Sequence, residues 1–333
     1  MRFIVYGAGA VGSLLGGYLA RAGSEVVLIG RPDHVAQVQA GGLSLKDRDG
    51  LHTIPLDAVL SLSELSLRPD DIICLTLKSQ DTEAATTTLQ QSAASEQPIF
   101  CFQNGVRNEE IAARSFQNVY GVLVALGVRL AGPGRIIHFT GKSLTLGRYP
   151  TGLDDRAEAV GDALSTAGFN VSLSPRTMAA KWSKLIINLS NAIYAITNLS
   201  ILEVRNSREG RNFIVAVWEE GIRVLEAAGV DYDPLPGRAS LRQEVDELRQ
   251  ETGVKPLPQD PEFNYYPSTW QDLFLKRGQT EVAFLNGEII TLGKRAGAPT
   301  PLNDLLLRVV EEMAARGDRP GKYTLAQLIA MRR

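Results

Sequence analysis

Cysteine is almost missing from this chain, which has two in 333 residues, Cys74 and Cys101, each at the end of an apolar run. That count leaves no disulfide framework to build from and suits a reducing compartment. Histidine is nearly as scarce: His34, His52 and His138 stand far apart, and no His/Cys spacing matches a metal site. No G-x-S-x-G occurs and no Ser-His-Asp arrangement suggests a hydrolase. No apolar run approaches the ~18 residues a membrane span needs. Charge of one sign is also lacking, since 35 basic and 37 acidic residues are mixed along the chain for a net charge of -2. Nucleic acid and anionic membrane surfaces are therefore not expected partners. A chain this long exceeds what one core usually organises, so two domains are expected, with a site between them.

What is present begins with punctuated apolar runs. The first 20 residues, one Arg and then an apolar glycine-rich stretch, superficially resemble a signal peptide, but glycines interrupt the run at meaningful places. Arg2 to Tyr6 reads as a strand, Ala10 to Arg21 as a helix and Glu25 to Ile29 as a second strand. Asp71 to Leu77 and Pro98 to Phe102 read as further buried strands, with a helix from about Thr82 to Ala94 between them. Buried strands alternating with helices imply a parallel sheet covered on both faces, a Rossmann-type α/β domain. Gly42 to Pro55 alternates around Asp47-Arg48-Asp49-Gly50 and predicts a hairpin at a sheet edge. Val119 to Ala125, Arg135 to Phe139 and Ser143 to Leu146 continue the strands up to Tyr149-Pro150.

After Pro175 the pattern is helical throughout, at 177–200, 210–228, 241–250, 269–275, 281–295 and 301–315, with Thr300 as N-cap before the first-turn Pro301. Residues 1–175 thus form the expected dinucleotide-binding domain and 176–333 an all-helical one that carries substrate and catalytic groups. Val254 to Pro267 holds four prolines and no periodicity, and reads as an ordered loop or lid.

Gly7-Ala8-Gly9-Ala10-Val11-Gly12 is a G-x-G-x-x-G set directly between a strand and a helix. The first glycine permits a tight turn, the second lets backbone approach a pyrophosphate, and the third lets helix and strand pack closely. The helix N-terminus supplies free N–H groups to phosphate. The second strand ends Ile29-Gly30-Arg31, with no carboxylate where NAD enzymes hold the ribose 2′-hydroxyl. Arg31 can instead fork onto a 2′-phosphate, favouring NADPH over NADH, although Asp33 nearby keeps that preference open.

In the helical half, Lys184, Asn188 and Asn191 recur at i, i+4 and i+7, a polar stripe among Leu and Ile that suits a site better than a wet surface face. Lys181, one turn earlier, is the rival lysine. His138 is a natural proton donor by type, but it lies in a strand pattern with no Asp to orient it and reads as structural.

These features together resemble the ketopantoate reductase (2-dehydropantoate 2-reductase) family over nearly the whole chain. The resemblance rests on GAGAVG, Lys78 after DIICLTL, Gln103-Asn104-Gly105 after PIFCF, the K-L-x-x-N of Lys184 to Asn188, Ser268-Thr269, Glu281 and Asn286-Gly287. It implies an NADPH-dependent reduction of a 2-keto acid, ketopantoate foremost, in pantothenate and coenzyme A biosynthesis. It further implies Lys184 as proton donor and Glu281 as the acid that orients it and binds a substrate hydroxyl. Asn188 and Asn191 would hold substrate polar groups, and Ser268 and Thr269 the substrate carboxylate. Asn104 would sit near nicotinamide and substrate, while Lys78 and Arg31 would contact the 2′-phosphate end.

Two departures touch the substrate side. The family's second helix asparagine commonly follows the lysine by eight residues, against seven here, and Thr269 stands where Ser is common, beside a proline-rich segment that is longer than usual. Alternatives are a related reductase of another 2-keto acid and a non-catalytic NADP(H)-binding regulator. The expected setting is cytoplasmic, and the helical half could pair with a second copy as a homodimer.

Overall fold

The computed structural model describes residues 1–257 and 266–332. Among these, the chain folds as two compact units, Met1–Lys181 and Trp182–Arg333.

The first unit is organised by one sheet whose strands are β1 (Arg2–Tyr6), β2 (Glu25–Ile29), β3 (Leu43–Asp47), β4 (Gly50–Ile54), β5 (Asp57–Val59), β6 (Ile72–Leu75), β7 (Ile99–Cys101), β8 (Val119–Gly132), β9 (Arg135–Arg148) and β10 (Asn170–Leu173). Its order is β4-β3-β9-β8-β7-β6-β1-β2-β5, with β10 also on β9. From β5 to β8 every neighbouring pair is parallel. β3 and β4 form the expected hairpin at the edge, attached through a parallel pairing of β3 with β9.

Alternation along each strand builds two cores. Phe3, Val5, Leu28, Cys74 and Phe100 face one layer with Leu14, Leu15 and Leu19 of the helix Ala10–Arg21. Ile4, Val27, Ile29, Ile73, Leu75, Ile99 and Cys101 face the other with Leu89 and Phe116. Sides of period two buried on both faces are what a parallel sheet between helices requires. The start of the sheet is held by a bidentate pair, Arg2 Nε and Nη2 donating to the two Asp71 carboxylate oxygens at 2.9 and 2.7 Å.

Two features go beyond the runs read from the sequence. β8 and β9 are one hairpin of 14 residues per strand, whose irregular pairing near Gly127 and Gly132 breaks the alternation into the shorter runs visible in the sequence. The helix Asp155–Thr166 is weakly apolar and is set by its cap, since Asp154 accepts from Ala157 N at 2.9 Å and from Tyr120 Oη and Arg148 Nη1.

The second unit is helical. Arg208–Ala227, Asn286–Ala296 and Pro301–Arg316 pack on one another around Phe213, Val217, Leu225, Ile289, Leu306, Val310 and Met313, all buried. The expected 281–295 helix is a 3-10 turn, Glu281–Phe284, followed by the helix Asn286–Ala296. Thr300 occupies the N-cap position of the last long helix, but its hydroxyl donates to Asp304. The capping acceptor is instead Glu220 from Arg208–Ala227, which takes Leu302 N and Asn303 N at 3.0 and 2.8 Å. Of the proline-rich Val254 to Pro267, residues 258–265 lie outside the described residues.

Candidate active site

Four loops of the first unit meet at the carboxyl edge of four adjacent parallel strands. β2, β1, β6 and β7 are neighbours in that order, and they are followed by Arg31, Gly7, Lys78 and Asn104 respectively. Ligands of open α/β sheets bind at this edge.

The glycines of the first loop carry distinct duties. Gly7 has φ +118, and a Cβ there would lie 2.7 Å from Leu77 N. At Gly12 a Cβ would fall 2.3 Å from Gly7 O and 2.6 Å from Thr76 Oγ1, so the helix Ala10–Arg21 packs on β1 and the β6 loop only without a side chain. Among the described residues, a Cβ at Gly9 would meet only Gly7 O, at 3.9 Å. The protein itself does not need glycine there. The space above Gly9 fits a group brought in from outside, and the helix that follows has no side-chain cap on its N-terminus. Ala8, Ala10 and Val11 complete this turn, with Ala8 N bonded to Ile29 O at 2.8 Å and Thr76 Oγ1 donating to Gly7 O at 2.8 Å.

Arg31 is exposed, as is Asp33. Lys78 is half-buried at the start of the 3-10 turn Ser79–Asp81. Asn104 is half-buried, and its carbonyl accepts from Asn108 Nδ2 at 2.7 Å and Ser79 Oγ at 3.1 Å. Asn108, Ser79 and Thr82 were not foreseen as support for this segment; their partners lie up to 29 residues away, a distance over which no local pattern exists.

The two lysines of the helix Thr177–Asn188 part company. Lys181 is 4% exposed, and its ammonium donates to Gln103 O at 3.1 Å and to the fully buried Glu109. Burial pushes the Glu109 carboxyl up, opposed by that ammonium. Lys184 is only half-buried. The stripe, however, is not on one continuous helix. Helix Thr177–Asn188 ends at Asn188, Leu189 and Ser190 form a turn, and Asn191 opens the helix Asn191–Thr197. The shared face deduced from the seven-residue spacing is therefore corrected. Lys184 and Asn188 share a face, while Asn191 is placed by the break; all three are half-buried.

A buried network stabilises that break. Leu189 O accepts from Asn286 Nδ2 at 3.2 Å, Asn286 Nδ2 also reaches Asn303 Oδ1 at 2.8 Å, and Asn303 Nδ2 donates to Glu220 at 2.8 Å. A carbonyl left over at a helix end needs such a partner. The asparagine of Asn286-Gly287 thus has a structural duty that spacing alone did not reveal.

Ser268 and Thr269 open the helix Ser268–Phe274, which packs on Asn191–Thr197 and on the turn that begins with Glu281. Thr269 is 1% exposed, and its Oγ1 has no hydrogen-bond partner among the described residues. Glu281 is buried. Asp272 and Arg277 pair at 2.7 Å between that helix and the approach to Glu281. Thus the second unit brings Asn191, Ser268, Thr269 and Glu281 onto mutually packed elements, and the first unit brings the glycine turn, Arg31, Lys78 and Asn104 to one sheet edge.

His138 is buried against Tyr18. Its Nε2 lies 2.6 Å from Gly141 O, which can only accept, so Nδ1 accepts from Tyr18 Oη at 2.8 Å. Both nitrogens are engaged, in keeping with the structural reading.

Comparison with known proteins then places the chain. Residues 3–151 match the family profile described as ketopantoate reductase PanE/ApbA, and residues 176–314 match that of its C terminus. The chain is 30% identical over 320 residues to a 2-dehydropantoate 2-reductase of Pyrococcus horikoshii, covering 95% of this chain and 99% of the relative. Among solved structures, it is similar to a PanE/ApbA family ketopantoate reductase from Ralstonia eutropha, with TM-score 0.80 and 28% identity over 95% of this chain and 99% of the other. D-mandelate dehydrogenase in a ternary structure with NADH and anilino(oxo)acetate is similar as well, with TM-score 0.79 and 25% identity over 95% and 99% of the two chains.

Proposed function

The chain belongs to the ketopantoate reductase family, and on that premise we propose that it reduces 2-dehydropantoate (ketopantoate) to pantoate with NADPH, in pantothenate and coenzyme A biosynthesis. It is an oxidoreductase of the nicotinamide-dependent kind. The observation that carries the proposal is the space above Gly9 at the meeting of four strand-end loops, a cradle that a Cβ would fill without any clash inside the protein.

The cofactor would be held by the backbone of Gly7, Ala8, Gly9, Ala10, Val11 and Gly12 at its pyrophosphate and by Arg31 and Lys78 at its 2′-phosphate, with Asn104 beside the nicotinamide. Bound there, the nicotinamide supplies a hydride. The chain's own contribution is to the oxygen of the substrate carbonyl, where negative charge develops and a proton must arrive. Lys184 donates that proton and polarises the oxygen beforehand. Glu281 orients the Lys184 ammonium and binds a substrate hydroxyl. Asn188 and Asn191 hold substrate polar groups, and Ser268 with the Thr269 hydroxyl, which has no partner among the described residues, binds the substrate carboxylate. In this reading residues 1–175 are the dinucleotide-binding domain and 176–333 the substrate domain, in a cytoplasmic enzyme that pairs as a homodimer. No helix among the described residues is long and apolar enough to cross a membrane.

A second reading is favoured by the similarity to D-mandelate dehydrogenase: a related reductase whose 2-keto acid is different. A non-catalytic NADP(H)-binding regulator is disfavoured because it has no use for Lys184 and Glu281. NADPH oxidation at 340 nm against ketopantoate and a panel of other 2-keto acids separates these. Lys184→Ala is expected to lower kcat at least ~10³-fold while NADPH still binds, of the order seen when a general acid and its electrostatic support are removed together. Retained turnover in Lys184→Ala, or no turnover of any panel member by the unmodified enzyme, overturns the proposal.

A further inference from the structure

The rival lysine, Lys181, has a different role from Lys184. Its ammonium is 4% exposed and is consumed by two acceptors of the first unit, the Gln103 carbonyl and the Glu109 carboxylate, itself fully buried. Two buried charges of opposite sign are costly to desolvate unless each is hydrogen-bonded. Through these two bonds Lys181 ties the segment that leaves β7, at Gln103, to the short helix Asn108–Ala113, which carries Glu109.

That segment is gripped at consecutive peptide planes. The plane after Gln103 is held at its carbonyl by Lys181 Nζ. The plane after Asn104 is held at its carbonyl by Asn108 Nδ2 and Ser79 Oγ. Gly105, with φ +82, closes the turn. Behind them Gln103 Nε2 donates to Thr82 Oγ1, which donates to Asn108 Oδ1, both at 2.7 Å. With the carbonyls on both sides of the Asn104 Cα fixed, its φ and ψ are fixed, and so is the direction in which its side chain leaves the sheet edge.

We propose that Lys181 is a positioning residue which, through Gln103 O and its buried pairing with Glu109, seats the Asn104 segment for hydride transfer and takes no part in proton transfer. The catalytic half of this statement rests on the proposed function; the seating does not.

The test is the double variant Lys181→Gln, Glu109→Gln, which removes both charges together and leaves no orphaned carboxylate. Two readouts are needed. Amide hydrogen exchange of residues 103–106 in the cofactor-free protein is expected to quicken at least tenfold. Steady-state kinetics are expected to show kcat lowered about 10- to 100-fold, in line with the cost of misplacing a reacting group by about 1 Å. KM for the keto acid and Kd for NADPH should stay within about threefold. The primary isotope effect with 4-deuterated NADPH should rise, and the pH profile of kcat should keep its apparent pKa values.

Unchanged exchange at 103–106, or a kcat profile that loses its alkaline limb, where a lysine proton donor would deprotonate, overturns the proposal. Should the double variant not fold, Lys181→Arg serves, since it keeps a cation beside Glu109 but moves the donor off the Gln103 carbonyl. The same loosening and kcat loss are expected there, and unmodified exchange and kcat overturn the idea. Faster exchange in a protein whose parent turns over no 2-keto acid upholds the seating and defeats the reaction assignment instead.

Discussion

Arg31 stands at the end of β2 with its side chain exposed, in the place where a carboxylate would select NADH. A forked guanidinium on a 2′-phosphate makes charge-assisted bonds worth about 1.5–3 kcal/mol. Arg31→Ala is therefore expected to weaken NADPH about 10- to 100-fold and to leave NADH within about threefold, as read by KM for each cofactor; equal losses for both would remove Arg31 from the site. The pattern already pointed to this residue, because position after a strand is a local property. The pattern could not show how Lys181 and Lys184 differ. Both lie in one helix three residues apart, and only long-range partners, Gln103 and Glu109, separate the buried anchor from the half-buried candidate acid.

Among the elements, the glycine turn makes two glycines distinguishable. Gly12→Ala would press a Cβ to 2.3 Å from Gly7 O, which is backbone and cannot step aside. Gly9→Ala meets only an atom at 3.9 Å. Thermal melting should find Gly9→Ala close to the unmodified protein and Gly12→Ala strongly destabilised, while NADPH titration should find Gly9→Ala weakened at least tenfold. Normal cofactor affinity in Gly9→Ala would show that the space is not where a pyrophosphate binds.

The broken helix at 189–190 offers a second test at this scale. Glu220→Ala strips the acceptor from Leu302 N, Asn303 N and the Asn303 amide, all buried. A loss of about 3 kcal/mol by urea unfolding is expected from unsatisfied buried donors, and a loss below about 1 kcal/mol would mean that the network contributes little. Helical periodicity runs smoothly through 177–200, which is why the break stayed hidden: apolar spacing does not register a two-residue turn whose carbonyl is capped by Asn286, 97 residues on.

Across the whole molecule, acid should be the weak side of stability. His34 is neutral in the fold, since Gly134 N donates to its Nδ1 and its Nε2 then donates to Ser13 Oγ. Burial lowers its pKa below the usual 6.5, with Arg31 adding to the effect. His138 is lowered likewise, by burial first and by Lys142, against opposing bonds to Gly141 and Thr140 carbonyls and the charge of Asp47. For Asp154, burial raises the pKa, but bonds from Ala157 N, Tyr120 and Arg148 outweigh it and the carboxyl is held low. Each group has a folded pKa below its unfolded one. Each therefore contributes stability above the unfolded value, and that stability is lost as pH falls through the folded value. The two histidines act first, below about 6.5, and Asp154 below about 4. Melting temperature should decline steadily from pH 7 to pH 5, and imidazole C2 proton titrations of His34 and His138 should fall below 6.5. A melting temperature that rises toward pH 5, or normal titrations, would contradict these assignments.

By itself the sequence determined the Rossmann-type half, because buried strands, glycine turns and strand-end residues are written within a few residues of one another. β1, the first helix and β2 occupy the spans their periodicity predicts, and the edge hairpin around Asp47 to Gly50 forms as its turn residues require. Family membership was legible for the same reason, being a matter of motifs in order. Only the tertiary structure decided which lysine is buried, where the helix after Asn188 breaks, which carboxylate caps Pro301–Arg316, and that Gly9 faces open space. The first three depend on groups that sequence separates by tens of residues and packing brings within 3 Å or so, and the last on no packed group reaching Gly9 among the described residues.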